Sequence, residues 1–179
     1  MKTTINYKEI RFWVVFLVFM AVFIIINPSC KKEKQTIVPS NLAIILTDYS
    51  DCKLKDGTYT DSVSTGQSCV DYILCHDTLY ITHINAGFNC CIDTINLIFS
   101  TSGDTLVIQE VENYDQPCDC LCLFDVNILI TGIEPGDYYI RFIEPLATGN
   151  NEELEFGVTI QENVPGTYCV NRTAYPWGM

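Results

Sequence analysis

From about residue 42 onward the chain alternates. Apolar and polar residues trade places at every second position over short stretches, and Gly, Pro, Asn and Asp separate one stretch from the next. The stretches are rich in Val, Ile, Thr, Tyr and Phe, which suit a pleated, half-buried surface. No strong helical period follows the leader. Leu42 to Thr47 reads as a first strand. Asp48 to Ser68 is polar, with Asp56-Gly57 as a turn, and reads as a surface excursion. Cys69 to Cys75 and Thr78 to Asn85 read as two strands around Asp77. Thr94 to Ser100, the turn Thr101 to Asp104, and Thr105 to Val111 read as a hairpin, with Gly103 free to take positive φ.

Period two assigns faces. Ile95, Leu97 and Phe99 share one, as do Leu106 and Ile108. Phe124, Val126, Ile128 and Ile130 share another, then Tyr138, Ile140 and Phe142, then Leu154, Phe156, Val158 and Ile160. Each set buries one side of its strand and wets the other. The pattern predicts an all-β fold, a sandwich of two antiparallel sheets, over residues 42–179.

The stretch Ile130-Thr131-Gly132-Ile133-Glu134-Pro135-Gly136-Asp137-Tyr138 runs from apolar residues through a Pro-Gly turn to a Tyr that opens a strand. It resembles the corner between two late strands of immunoglobulin-like, fibronectin-type-III-like and transthyretin-like domains. That resemblance implies a Tyr138 hydroxyl bonding back across the corner, with Pro135, Gly136 and Tyr138 as structural residues. It bears on fold and not on activity.

The start of the chain has a different character. Lys2, Lys8 and Arg11 precede Phe12 to Ile26, a run of 15 uncharged apolar residues. A membrane-spanning helix needs about 20, and the core of an export signal needs roughly 7–15. Ile26-Asn27-Pro28-Ser29-Cys30 follows, then Lys31-Lys32-Glu33-Lys34-Gln35. This resembles the lipobox of Gram-negative bacterial lipoproteins, although Asn27 stands where that family carries an apolar residue. The resemblance implies a signal peptide over 1–29, a lipidated Cys30 as the new N-terminus, and attachment to the outer membrane, on its periplasmic or surface face. Thr36 to Asn41 carries Pro39 and no apolar period, so 30–41 reads as a tether. Several acyl chains on Cys30 would anchor the domain stably where one would not.

Charge narrows the partners. The whole chain carries a net charge of −12. From Cys30 onward 7 basic residues face 21 acidic ones, a net of −14. A phosphate backbone attracts the opposite sign, so a nucleic-acid partner is not expected. The membrane, through the lipid, and a protein or glycan partner remain.

The cysteines are the distinctive chemistry. With Cys30 set aside, nine remain: Cys52, Cys69, Cys75, Cys90, Cys91, Cys118, Cys120, Cys122 and Cys169. Ten cysteines in an exported chain point to disulfides. The hairpin 94–111 returns its ends to one place, so Cys90-Cys91 and the run Cys118, Cys120, Cys122 should meet at one end of the sandwich, near His83. At least one cross-link is expected between the pair and the run. Three cysteines facing two leave one over, as a free thiol or as part of a metal site. Two readings stand. In one, the cysteines staple a non-enzymatic interaction or structural module that needs no cofactor. In the other, His83, Cys90, Cys91, Cys118, Cys120 and Cys122 bind Zn or Cu. No Gly-x-Ser-x-Gly, His-Glu-x-x-His, phosphate-binding glycine loop or Cys-x-x-Cys occurs, so no catalytic residue is assigned and no enzyme is expected.

Overall fold

A computed structural model describes residues 42–53, 64–147 and 152–173. The leader, Cys30, the tether and the Asp56-Gly57 turn lie outside the described residues. Nine strands occur among the described residues: β1 Ala43–Tyr49, β2 Gln67–Cys75, β3 Thr78–Asn89, β4 Thr94–Ser102, β5 Thr105–Asn113, β6 Leu121–Thr131, β7 Gly136–Ile143, β8 Glu155–Ile160 and β9 Gly166–Asn171. They form a five-stranded sheet, in the order β1-β6-β3-β2-β9, and a four-stranded sheet, in the order β4-β5-β7-β8. The apolar faces of the two sheets meet in one core. Leu79, Ile81, Phe88, Phe124, Ile128 and Ile130 come from the first sheet; Ile95, Leu106, Ile108, Ile140 and Phe156 come from the second. The all-β sandwich that the alternation predicts is the fold observed, because period two places every second side chain on the inner face.

Four details depart from the sequence reading. β5 and β7 pair in parallel, Leu106 opposite Ile140, so the smaller sheet is mixed. β1 continues through Asp48 to Tyr49, because a bulge between Leu46 and Asp48 absorbs the polar interruption. β3 runs on to Asn89, where the sequence suggests a loop from Ala86. Its pairing with β6 shifts register between His83 and Ala86, and Asn85 there has φ 62°. The inward set therefore changes from Leu79, Ile81 and His83 to Ala86 and Phe88, all buried. A switch of parity inside one strand reads as the end of a strand when only alternation is followed. Finally, β9 is a strand that the alternation did not single out. It is short and opens with a glycine.

The corner has the bond that the resemblance implies. The Tyr138 hydroxyl donates to the Glu134 carbonyl at 2.9 Å, in an exposed position. Gly103 makes the tight β4–β5 turn with φ 59°.

Gly166 shows why β9 opens as it does. It lies opposite Tyr72 of β2, and a Cβ on Gly166 would sit 2.1 Å from the Tyr72 hydroxyl oxygen. The Tyr72 ring stacks in turn on Phe156 at 6.2 Å between centroids, and Phe156 stacks on Tyr168 at 4.4 Å. A methyl group at 166 must push this aromatic set apart. Gly166→Ala should therefore cost about 1–3 kcal/mol in denaturant unfolding, the usual range for overpacking. The cost should shrink in a Tyr72→Leu background. An equal cost in both backgrounds would mean the ring is not what excludes the methyl group.

Candidate functional site

Both cysteine runs meet at the base of the β4–β5 hairpin. Cys91 bridges Cys118 with Cα atoms 5.5 Å apart, and Cys90 bridges Cys120 at 5.7 Å. The two bridges are concentric, one loop inside the other. Asn89, buried at the end of β3, ties them together. Its side-chain oxygen Oδ1 accepts from the backbone N–H groups of Cys91 and Cys118, and its side-chain Nδ2 donates to the Cys118 carbonyl. The Asn89 N–H donates to Glu112 Oε2 at 2.8 Å. One loop of about 30 residues is worth about 3.7 kcal/mol in the chain-entropy description. The second adds much less, because the first already holds the same ends together.

The remaining sulfurs correct the expectation of a leftover thiol. Cys122 points into the core and bridges Cys52, 70 residues away. Cys69 bridges Cys169 across the β2–β9 pair, 100 residues apart. Cys75 is disulfide-bonded as well, and no described cysteine is free. The six residues of the metal reading thus divide three ways. Cys90, Cys91, Cys118 and Cys120 form the double bridge, Cys122 joins Cys52, and His83 lies in the interior with other partners. Among the described residues no group of three or more His, Cys, Asp or Glu is placed to hold a metal ion. A sulfur in a disulfide is not a thiolate and does not serve as one of its ligands.

The interior of the sandwich holds chemistry that the sequence reading missed. His83 on β3 is 0% exposed, Ser68 on β2 0% and Glu110 on β5 2%. Ser68 Oγ lies 2.8 Å from His83 Nε2, and Glu110 Oε1 lies 2.7 Å from His83 Nδ1. Glu144, just past β7, places Oε1 3.6 Å from His83 Nε2 and pairs through Oε2 with Arg172, just past β9. Arg172 also donates to the Glu152 carbonyl at 2.8 Å. The Phe142 ring packs on His83 at 4.9 Å. Nearby, Lys53 donates to Asp125 at 2.6 Å and to Asn85 at 3.3 Å, and Asn85 donates to the Ser64 and Gln67 carbonyls. The β3 bulge is therefore held by the side chains of Lys53 and Asp125 and by the backbone carbonyls of Ser64 and Gln67.

Part of this cluster follows the alternation. Glu110 continues the inward set Leu106, Ile108, and Glu144 continues Ile140, Phe142. His83 continues Leu79, Ile81. Glu110 and Glu144 stand outside the apolar sets read from the sequence, because a carboxylate breaks the apolar pattern that defines an inner face. Ser68 and Arg172 carry no such signal.

The His83 pKa is raised. Burial on its own lowers it, but the charge of Glu110, the hydrogen bond to Glu110 and the charge of Glu144 together outweigh burial and the opposing Arg172. The Glu144 pKa is also raised, first by burial and also by Glu110, against the pull of His83 and Arg172. The arrangement has the connectivity of a serine–histidine–carboxylate relay. One feature makes it a poor one: no part of Ser68 or His83 reaches solvent.

Comparison of the chain with family models, with curated proteins and with solved structures finds no match.

The two pKa shifts act in the same direction on stability. A raised histidine stabilises the fold fully below its ordinary value of 6.5, and the contribution is lost as pH rises through the folded value. Glu144, raised above 4.5, likewise favours the fold in its protonated form and loses that contribution as pH rises. The unfolding free energy should therefore decline above pH 4.5 through Glu144 and further above pH 6.5 through His83, and His83→Gln should flatten the upper part of that decline. The same substitution should cost about 3–5 kcal/mol, because it leaves Glu110 buried beside a neutral amide. Much of the loss should return in the double variant with Glu110→Gln. Equal pH slopes for the parent and His83→Gln, measured by urea unfolding, would show that His83 does not titrate in this window.

Proposed function

We propose that this chain is a lipid-anchored protein of the cell envelope, attached to the outer membrane through Cys30, whose disulfide-stapled β-sandwich serves as a non-enzymatic interaction module. The disulfide framework carries the compartment and the stapled module but not the lipid: four bridges pair eight of the nine cysteines from Cys52 onward, so a lipidated Cys30 leaves Cys75 to bond outside this chain. Every described cysteine is bonded, which fits an oxidising, extracytoplasmic compartment. The lipobox-like Ile26-Asn27-Pro28-Ser29-Cys30 supplies the anchor. The tether that follows holds the domain away from the bilayer, and the acidic surface keeps it soluble there.

Cys30→Ser tests the anchor. The parent should fractionate with membranes and yield a lipid-bearing Cys30 peptide by mass spectrometry, and the variant should leave the membrane fraction. A full-length chain that stays membrane-bound after the substitution would make residues 12–26 the anchor. A Cys30 peptide found in a disulfide would also overturn the reading, because a thioether sulfur has no bond left for a bridge.

The non-enzymatic part rests on Ser68. Its hydroxyl is the nucleophile that the relay geometry would provide, and it is sealed in the core at 0% exposure. A serine-reactive phosphonate probe should leave the folded protein unlabelled. Labelling at Ser68 that depends on His83 would make the relay catalytic.

A further inference from the structure

The four described bridges are not set equally deep. Cys69 and Cys122 are fully buried, and Cys52 and Cys90 pack against the core. Three of the bridges therefore have at least one cysteine in or on the interior. Cys91–Cys118 has none there: Cys91 is exposed and Cys118 half-buried. The fold around this bridge also holds by other means. Cys90–Cys120 closes 30 residues and encloses Cys91–Cys118, which closes 27. In the unfolded chain the outer loop already brings the same ends together, so the inner bridge removes little further entropy. In the folded protein hydrogen bonds join the two segments as well. The Asn89 side chain bonds both backbone groups of Cys118. The Asp93 N–H donates to the Asn113 carbonyl at 2.8 Å, and Asp93 Oδ2 accepts from the Asp115 N–H at 2.8 Å. The Cys90 N–H donates to the Cys120 carbonyl at 3.2 Å, and the Tyr49 hydroxyl of β1 donates to the Asp93 carbonyl at 3.3 Å.

We infer that Cys91–Cys118 is a thiol–disulfide exchange site, a surface bridge that an external dithiol opens and an external disulfide recloses while the sandwich stays folded. This goes beyond the stapled module and depends neither on the lipid nor on a docked partner. Exposure selects the sulfur attacked. A thiolate of the incoming dithiol bonds to Cys91 Sγ, the Cys91–Cys118 bond breaks, and Cys118 leaves as a thiolate. The second thiolate of the dithiol then attacks the dithiol sulfur of the mixed disulfide and releases Cys91 as a thiolate. The dithiol is oxidised to its disulfide, the bridge is reduced by two electrons, and the two thiol protons end on Cys91 and Cys118. Asn89, Asp93 and Cys90–Cys120 keep the two segments in place throughout. The released thiols therefore remain neighbours, and the reverse sequence restores the same pairing.

The surroundings select the reagent. No Lys, Arg or His lies between His83 and Arg141, whereas Asp93, Glu112, Asp115 and Asp119 flank the bridged cysteines. This field repels an anionic thiol and draws in a cationic one, over a range that salt shortens. The reductant that fits is a thiol carried among basic groups.

The test uses the full chain without denaturant. It is treated with dilute dithiothreitol and quenched at intervals with N-ethylmaleimide, and the eight cysteines of the four bridges are mapped by mass spectrometry. Cys91 and Cys118 should be alkylated together and before the others, with the near-ultraviolet circular dichroism of the untreated protein retained. Oxidised dithiothreitol added before the quench should abolish that labelling and return the Cys91–Cys118 peptide. A double variant, Cys91→Ser with Cys118→Ser, should fold with the parent spectrum and show no early labelling. At equal thiolate concentration and low salt, cysteamine should release the Cys118 thiol faster than thioglycolate, and added salt should close the gap. Labelling of all eight cysteines in step, or loss of the near-ultraviolet signal as Cys91 and Cys118 are labelled, would overturn the proposal, because the bridge would then open only by unfolding. Reclosure in another pairing, or a double variant that does not fold, would overturn it by showing that the other contacts do not hold the site. Equal rates for the two monothiols at low salt would overturn the choice of a basic reductant.

Discussion

The contact between His83 and Glu110 constrains the rest of the interior. It spans the sandwich, from β3 of one sheet to β5 of the other, and both side chains are fully buried. Apolar side chains tolerate small slides of one sheet over the other, because dispersion has little direction. A hydrogen-bonded ion pair at 2.7 Å does not, and a carboxylate left without its cation in the core costs several kcal/mol. The pair therefore selects one relative placement of the sheets. The surrounding groups extend the selection: Ser68 fixes β2, Glu144 the end of β7, and Arg172 the end of β9. His83 and Arg172 share this space with Glu110 and Glu144, so each buried acid has a basic partner within it.

The disulfides do different work at different places. Cys69–Cys169 lies beside Ser68 and three residues before Arg172. It holds a six-residue edge strand, too short to rely on its own ladder, and so keeps the guanidinium at the cluster. Cys52–Cys122 draws the segment after β1 onto β6, bringing Lys53 to Asp125 and Asn85 at the β3 bulge. The double bridge closes the base of the β4–β5 hairpin. β5 pairs onward with β7, and β1 packs along the outer side of β4.

Much of this architecture was legible in the alternation. Period two located most of the strands and their inner faces, and the hairpin geometry brought Cys90-Cys91 next to Cys118 and Cys120. What alternation missed has a common cause. It follows apolar residues only, and Glu110 and Glu144 sit on the inner register with one oxygen of each satisfied across the core, while Glu110 Oε2 and Glu144 Oε1 accept no hydrogen bond. That satisfaction depends on His83 and Arg172, which are distant in sequence and meet them only in the assembled sandwich. The β3 bulge hid in a similar way: Asn85 takes a left-handed φ because Lys53, Asp125, Ser64 and Gln67 bond it there. The fate of Cys122 turned on Cys52, whose position inside the polar excursion 48–68 carried no hint of a shared neighbourhood.

The connectivity of the bridges also bears on how the chain is made. Cysteines emerge from synthesis in order, and a chain oxidised as it emerged would join Cys52 to Cys69 well before Cys122 or Cys169 existed. The native loops instead span 70, 100, 30 and 27 residues, and Cys52–Cys122 crosses Cys69–Cys169 in sequence. Early bonds must therefore be undone by thiolate attack and remade through mixed disulfides. The last native loop closes only after Cys169 is available, near the end of the chain. Bonds made in order of emergence thus reach this connectivity only by exchange, which a catalyst of disulfide isomerisation in the compartment would speed.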